Sequence, residues 1–417
     1  MKMFRVAFST LVGNTLEFYD LTLYAYFAPT IALHFFPKQD TFTGIASAFA
    51  LFFIGYLARP LGALFFGRMG DRLGRKPALL VSIWLMALST VGLGLLPIYQ
   101  TIGVWAPMLL LILRILQGFS CGGELTGSAI FIIEHAPREK RGFYGSFADT
   151  GTSMGALLAV FASWLIHISF SDSVIIAWAW RLPFLFGLLG GLLGWFARRA
   201  VPETELFLET QKLPQSYFNS RRDYAKQVRP ALIIMGIKLM PSVLGYLFYV
   251  YITTYMSNIL HYTMSQALTI TMVSITFLAF LEPWMGKLSD HIGRRRLMMF
   301  SIIGSVIWVW PYFWLLQQHN VALALLAQGI MTIFAAAYLA IALVTMVEMI
   351  PIQMRFTVVS LAYAVAASVF SGMTPLVASL LINITHSYYS LILYVLISAL
   401  ISAIAIYKAR ETRLAPE

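Results

Sequence analysis

The chain has 417 residues, 59% of them hydrophobic and 11% charged, with 29 Lys and Arg against 18 Asp and Glu for a net charge of +11. So low a charged fraction, with a mean hydropathy of +0.77, excludes an ordinary soluble domain and indicates a polytopic membrane protein. Its single cysteine, Cys121, excludes a disulfide framework or a Cys-based metal site.

Twelve apolar stretches are long enough to cross a hydrocarbon core of about 30 Å. Six lie roughly at 8–36, 43–66, 77–98, 104–133, 142–168 and 178–199, and six at 230–257, 266–285, 297–317, 321–347, 356–383 and 388–407. The expected fold is therefore an all-α membrane protein of two six-helix bundles, 1–199 and 230–417, joined by a polar cytoplasmic linker at 200–229. The first stretch is too long for a signal-peptide core and has no small-residue cleavage site, so it reads as an uncleaved span.

In chain order, span 1 places Asn14, Glu17, Asp20 and Tyr24 on one helical face, because the steps between them are three or four residues. Span 2 carries Arg59 beside Pro60 near its cytoplasmic end, where it is expected to join the charged loop that follows. That loop reads Gly67-Arg-Met-Gly-Asp71-Arg72-Leu-Gly74-Arg75-Lys76. Span 4 carries a stripe of Arg114, Gln117, Cys121, Glu124 and Ser128, and span 5 begins beyond Arg141 and contains Asp149. Arg181, between Trp178, Trp180 and span 6, reads as an interfacial anchor. Span 7 contributes Lys238, Ser242 and Tyr249, while Glu282 in span 8 is expected to be structural.

The decapeptide after span 2 returns after span 8 as Gly286-Lys-Leu-Ser-Asp290-His-Ile-Gly293-Arg294-Arg295, displaced by 219 positions. Glu134-x-x-Pro137-x-x-x-Arg141 returns as Glu348-x-x-Pro351-x-x-x-Arg355, displaced by 214. Two motifs at nearly one period imply a duplication. With the N-terminus inside, 24 of the 29 Lys and Arg fall on the cytoplasmic side, Lys38 falls outside, and Arg59, Arg114, Arg181 and Lys238 lie within spans. Both loops then face the cytoplasm, both termini are cytoplasmic, and the halves are related by an axis along the membrane normal. The bases are accounted for as topogenic loops, so no nucleic-acid partner is expected.

The loop pattern resembles the major facilitator superfamily of secondary transporters. Gly13-Asn14-Thr-Leu-Glu17-Phe18-Tyr19-Asp20, Arg59-Pro60-Leu-Gly62, Arg114-Ile-Leu-Gln117-Gly118-Phe-Ser-Cys-Gly122-Gly123-Glu124, Lys140-Arg141-Gly142-Phe-Tyr-Gly145-Ser146 and Trp180-Arg181-Leu-Pro183-Phe184 are together similar to its metabolite:proton symporters. The C-terminal half resembles that family mainly through its loop copy, in which His291 replaces the expected Arg. The resemblance implies that spans 1, 4, 7 and 10 line a central cavity. The chain stops about ten residues after its last span, without the coiled coil of osmolyte-sensing members, so osmosensing is not expected.

Ionisable groups in hydrocarbon must face a polar cavity or one another. Arg114 and Lys238 are the expected holders of a substrate carboxylate, with Asn14, Tyr24, Gln117, Ser242 and Tyr249 beside them. Asp20 and Glu124 come first for proton coupling, followed by Glu17 and Asp149. Gly67, Asp71, Arg72, Gly74 and Arg75, with Gly286, Asp290, Gly293 and Arg294, are expected to latch the halves on the cytoplasmic side, each Asp capping a helix or accepting from a guanidinium. Glu134 and Glu348 read as gate or topology residues.

The expected function is proton-coupled import of a small organic acid or zwitterion of carboxylate, amino-acid or betaine type, a carboxylate ranking first, by a monomer in a bacterial inner membrane. Its partners are solute, protons and lipid bilayer, with no cofactor and no metal. The nearest alternative is a proton-coupled exporter of a drug or siderophore, and a remoter one a non-transporting metabolite receptor. No His-Glu-x-x-His, Ser/Lys dyad or Gly-x-Ser-x-Gly stands in the spans, so an enzyme is not expected.

Overall fold

The computed structural model describes residues 2–36, 41–73, 75–199, 226–409 and 411–412. Most of the expected linker at 200–229 therefore lies outside the described residues.

Twelve helical rods follow the twelve apolar stretches. Span 1 is Lys2–Tyr26, continued by Ala28–Phe35, and span 3 is Arg75–Leu95 with its apolar part at Leu80–Leu95. The other ten are each long and apolar enough to cross a membrane. Spans 2, 4, 5 and 6 are Phe42–Phe66, Trp105–His135, Arg138–Ser169 and Ala179–Phe196. Spans 7 to 12 are Val228–Asn258, Met264–Ile292, Arg294–Leu316, Val321–Glu348, Arg355–Thr385 and Tyr389–Lys408. Helices close every backbone hydrogen bond within the segment, which hydrocarbon demands. Large apolar side chains such as Phe186, Leu193, Phe280, Ile307 and Leu400 point outward, as a hydrocarbon solvent permits.

Hydrocarbon offers no hydrophobic drive for helix association, so close backbone approach through small residues carries the packing. At Gly118 a Cβ would stand 1.6 Å from the Gly55 carbonyl oxygen, so spans 2 and 4 touch backbone to backbone. The seam continues at Gly122, where a Cβ would meet the Ala63 nitrogen at 2.2 Å. Span 4 breaks at this point, between the helices Trp105–Ser120 and Glu124–His135. The most extensive helix contacts are those of span 5 with span 8 across the halves and with span 1 inside its own half. Spans 7 and 11 each widen into one π-helical turn, at Leu247–Tyr251 and Ala367–Ser371, beside the space between the halves.

Candidate transport site

A central cavity lies between the two bundles. Span 2 brings Arg59 to it, span 5 Asp149 and Ser153, span 7 Lys238, Tyr246 and Tyr249, span 8 Glu282, and span 11 Tyr363. Two acids and two bases thus share one enclosure with three phenol rings. The Lys238 ammonium stands 4.5 Å from the centre of the Tyr363 ring, and the Arg59 guanidinium 4.1 Å from that of Tyr56. Glu282 Oε1 accepts from the Ser153 hydroxyl at 2.9 Å, whereas Glu282 Oε2 and Asp149 Oδ2 accept no hydrogen bond. Acceptors left open in a polar enclosure are positions for a solute, a proton or water to fill.

Contacts between the halves flank this cavity on both sides. At the basic end of the bundle Asp290 accepts from the backbone N–H groups of Gly142 and Phe143, Thr126 bonds Ser360 at 2.8 Å, and Glu134 pairs with Arg355 at 3.3 Å. At the other end the Tyr26 hydroxyl donates to the Tyr249 carbonyl at 2.8 Å, and the Trp164 indole donates to Thr269 Oγ1 at 3.0 Å. The Tyr56 and Tyr246 hydroxyls also bond each other, and Ser368 donates to the Tyr56 carbonyl. The cavity is thus held between the halves from above and below.

A second, smaller pocket lies inside the N-terminal bundle among spans 1, 3, 4 and 6. Glu17, Asp20, Ser82, Ser120, Cys121 and Glu124 line it. Ser82 donates to Glu124 Oε2 at 3.2 Å, and Asp20 Oδ1 has no hydrogen-bond partner. Three carboxyl groups therefore share a pocket distinct from the central cavity.

The structure divides the candidates expected from sequence. Asp149, Lys238 and Tyr249 line the central cavity, while Asp20, Glu17 and Glu124 line the inner pocket. Arg114 reaches neither: its guanidinium lies 4.2 Å over the Tyr24 ring and donates to Gln117 at 2.6 Å, and Gln117 donates to Thr90 at 2.7 Å. Tyr24 is fully buried and donates to the Ala48 carbonyl. Asn14 ties span 1 to spans 4 and 5 through Ser128 and the Ala148 carbonyl. Ser242, which does not line the cavity, bonds the Lys238 carbonyl and Ser371, which does. The face of span 4 expected to meet the solute thus packs into its own bundle. Arg181 donates to the carbonyls of Gly94 and Leu96 and lies over Trp180.

Arg59, expected in the loop network, and Glu282, expected to be structural, both line the central cavity. The missed signal is the spacing of Ile275, Leu278 and Glu282, a three-to-four-residue stripe on span 8 whose members all line the cavity.

At the end of span 8, Asp290 does both things an acid there can do. It caps the start of span 5, and it accepts from Arg294 Nη1 at 2.8 Å. Arg294 also pairs with Glu348 at 3.3 Å. Gly286 fits directly against span 5, where a Cβ would meet the Gly142 carbonyl oxygen at 2.4 Å. Gly293 turns at φ 97°, a conformation that favours glycine. Gly67, Asp71, Arg72, Gly74 and Arg75 of the first copy lie outside the residues whose side chains are described.

Known families account for this architecture. The model of sugar and other transporters matches residues 6–216 and that of the major facilitator superfamily residues 239–417, one to each half. The chain is similar to the glycine betaine/proline/ectoine/pipecolic acid transporter of Dickeya dadantii, 33% identical over 414 residues that cover 96% of this chain and 82% of that one. The chain belongs to the major facilitator superfamily. Its place there is with the metabolite:proton symporters, and it is also 33% identical over 377 residues to the citrate-proton symporter of Klebsiella pneumoniae, covering 89% of this chain and 84% of that one. The crystal structure of a D-xylose-proton symporter has the same fold, with a TM-score of 0.75 at 20% identity over 99% of both chains.

Proposed function

We propose that this integral membrane protein imports a small zwitterion, of proline or betaine type, together with a proton, by rocking its two bundles about the central cavity. The carrying observation is the composition of that cavity: Arg59 and Lys238 for a carboxylate, Asp149 and Glu282 for a cationic nitrogen, and tyrosine faces for its methyl or methylene groups. A solute with one charge of each sign matches the enclosure, which moves the zwitterion ahead of the simple carboxylate. The similarity to a betaine and proline transporter supports the same choice.

Proton coupling has its own support. Deep in the bundles Glu17, Asp20, Glu124, Asp149 and Glu282 outnumber Arg59, Arg114 and Lys238. An unmatched carboxylate away from water is costly, so surplus acids are positions for protons. Asp20 and Glu124 in the inner pocket remain the first candidates. The basic end faces the cytoplasm on the strength of the charge bias, a bacterial inner membrane is the setting, and each chain holds a complete pathway and works as a monomer. No chemical step is assigned to it.

The test is uptake of labelled L-proline and glycine betaine by proteoliposomes under an imposed proton gradient. Accumulation that stops when a protonophore collapses the gradient is the expected result. Uptake that persists unchanged would remove the coupling, and net efflux under the same gradient would turn the protein into an exporter.

A further inference from the structure

Arg59 stands where the central cavity and the inner acid pocket come closest. It lines the central cavity and also a narrow space that it shares with Cys121 and Tyr363. Cys121 in turn lines the acid pocket with Glu17, Asp20 and Glu124. The three spaces therefore form a row, with Arg59 at one partition and Cys121 at the next. The glycine seam fixes this arrangement: a Cβ on Gly122 would meet the Arg59 carbonyl oxygen at 2.6 Å, so the break in span 4 lies against the backbone of Arg59 itself.

The guanidinium is only partly engaged. Arg59 is 4% exposed, it rests on the Tyr56 ring, and its Nε and Nη2 have no hydrogen-bond partner. On the side of the acid pocket it shares the small space with Cys121, which lines that pocket together with Glu17. On the other side it lines the central cavity together with Lys238, Tyr246 and Tyr363. A buried cation with open donors between two acid-bearing spaces serves whichever offers more negative charge.

We propose that Arg59 is the positioning residue that links solute binding to proton loading. Resting on the symport reading above, the linkage runs as follows. A solute carboxylate entering the central cavity draws the Arg59 donors toward itself. The acid pocket then lacks one compensating positive charge, and a proton taken up among Glu17, Asp20 and Glu124 makes it good. By reciprocity, a proton loaded first releases Arg59 to the cavity and strengthens solute binding. Solute and proton occupy different cavities and communicate through one side chain.

The experiment measures the affinity of detergent-purified full-length protein for L-proline and glycine betaine between pH 6 and 8, in wild type, Arg59→Gln and Arg59→Lys. Wild-type affinity is expected to rise as pH falls, within the roughly five- to 150-fold span usual for two linked sites. Arg59→Gln is expected to bind more weakly at low pH and to lose the pH dependence, to below about twofold across the range, and Arg59→Lys to keep most of it. If Arg59→Gln does not fold, Arg59→Met takes its place, since it removes a buried charge and its desolvation cost. A folded charge-free variant that keeps the wild-type pH profile, at whatever affinity, overturns the proposal. A wild-type affinity independent of pH, or absent for both probes, instead overturns the symport or zwitterion reading on which the proposal rests.

Discussion

The carboxylate of Asp290 at the end of span 8 holds the first turn of span 5, with Oδ1 accepting the Gly142 N–H at 2.8 Å and Oδ2 that of Phe143 at 2.9 Å. One side chain thereby ties the C-terminal bundle to the N-terminal one, adding a negative charge where a helix N-terminus welcomes it. Hydrogen bonds to a charged group contribute roughly 1.5–3 kcal/mol. The bond crosses between halves that must part, so its energy bears on which conformation is populated rather than on folding.

Asp290→Asn is therefore expected to shift the protein toward the form open at its basic end by about tenfold or more, at nearly unchanged thermal stability. A cysteine introduced at Ser146, beside the seam, in a Cys121→Ala background reports the shift as faster labelling by a polar thiol reagent. An unchanged labelling rate would show that the tie does not hold the halves.

Two glycine seams are expected to answer differently to the same added methyl. Gly118→Ala forces a Cβ against the Gly55 carbonyl inside one bundle and is expected to lower stability by about 1–3 kcal/mol, read as a fall in melting temperature. Gly286→Ala places its methyl against span 5, between the bundles, where separation relieves the clash. Its melting temperature is expected to stay near wild type while labelling at position 146 accelerates.

Lys238 and Arg114 also separate. Lys238→Ala removes a cavity cation and is expected to abolish the thermal shift that L-proline or glycine betaine produces in wild type. Arg114→Ala breaks a buried set of contacts with Tyr24, Phe52 and Gln117 and is expected to cost about 1–3 kcal/mol of stability. In the Arg114 variant the ligand-induced shift survives on a lowered baseline. The opposite pattern would return Arg114 to the solute site.

The segment after span 12 packs at the same end of the bundle. Glu411 accepts from the backbone N–H groups of Arg294 and Arg295 at 3.0 and 3.1 Å, and Thr412 donates to Glu348 at 2.6 Å. Glu411→Ala removes a helix cap worth about 0.5–2 kcal/mol and is expected to loosen Arg294. Labelling at position 146 should then rise, by less than in Asp290→Asn.

The fold was legible because hydrocarbon imposes length and charge rules on every span, and the duplication repeats them. The capping acid and the turn glycine after span 8 were legible because Asp290 and Gly293 can meet few other requirements in a charged turn. The assignment of acids to cavities was not. A stripe such as Arg114, Gln117, Cys121 and Glu124 gives the face of a helix but not its neighbour, and here a break at Cys121–Gly123 and a glycine seam turn that face into its own bundle. Proximity in sequence misled in the other direction. Glu282 is only eight residues from Asp290, yet at 1.5 Å per residue that is about 12 Å along the helix, enough to carry it from gate to cavity.

The balance of two acids and two bases around the central cavity also has an electrical consequence. On the proposed reading the solute is a zwitterion and adds no net charge, so with one proton per cycle only the charge of that proton crosses the membrane. The resting voltage then supplies about 2.3 kcal/mol per 100 mV to every solute taken up, roughly a fortyfold concentration ratio. A trivalent citrate would have to bring more than three protons before the same voltage drew it inward. Currents recorded from supported membranes on addition of proline or betaine should accordingly be inward and positive.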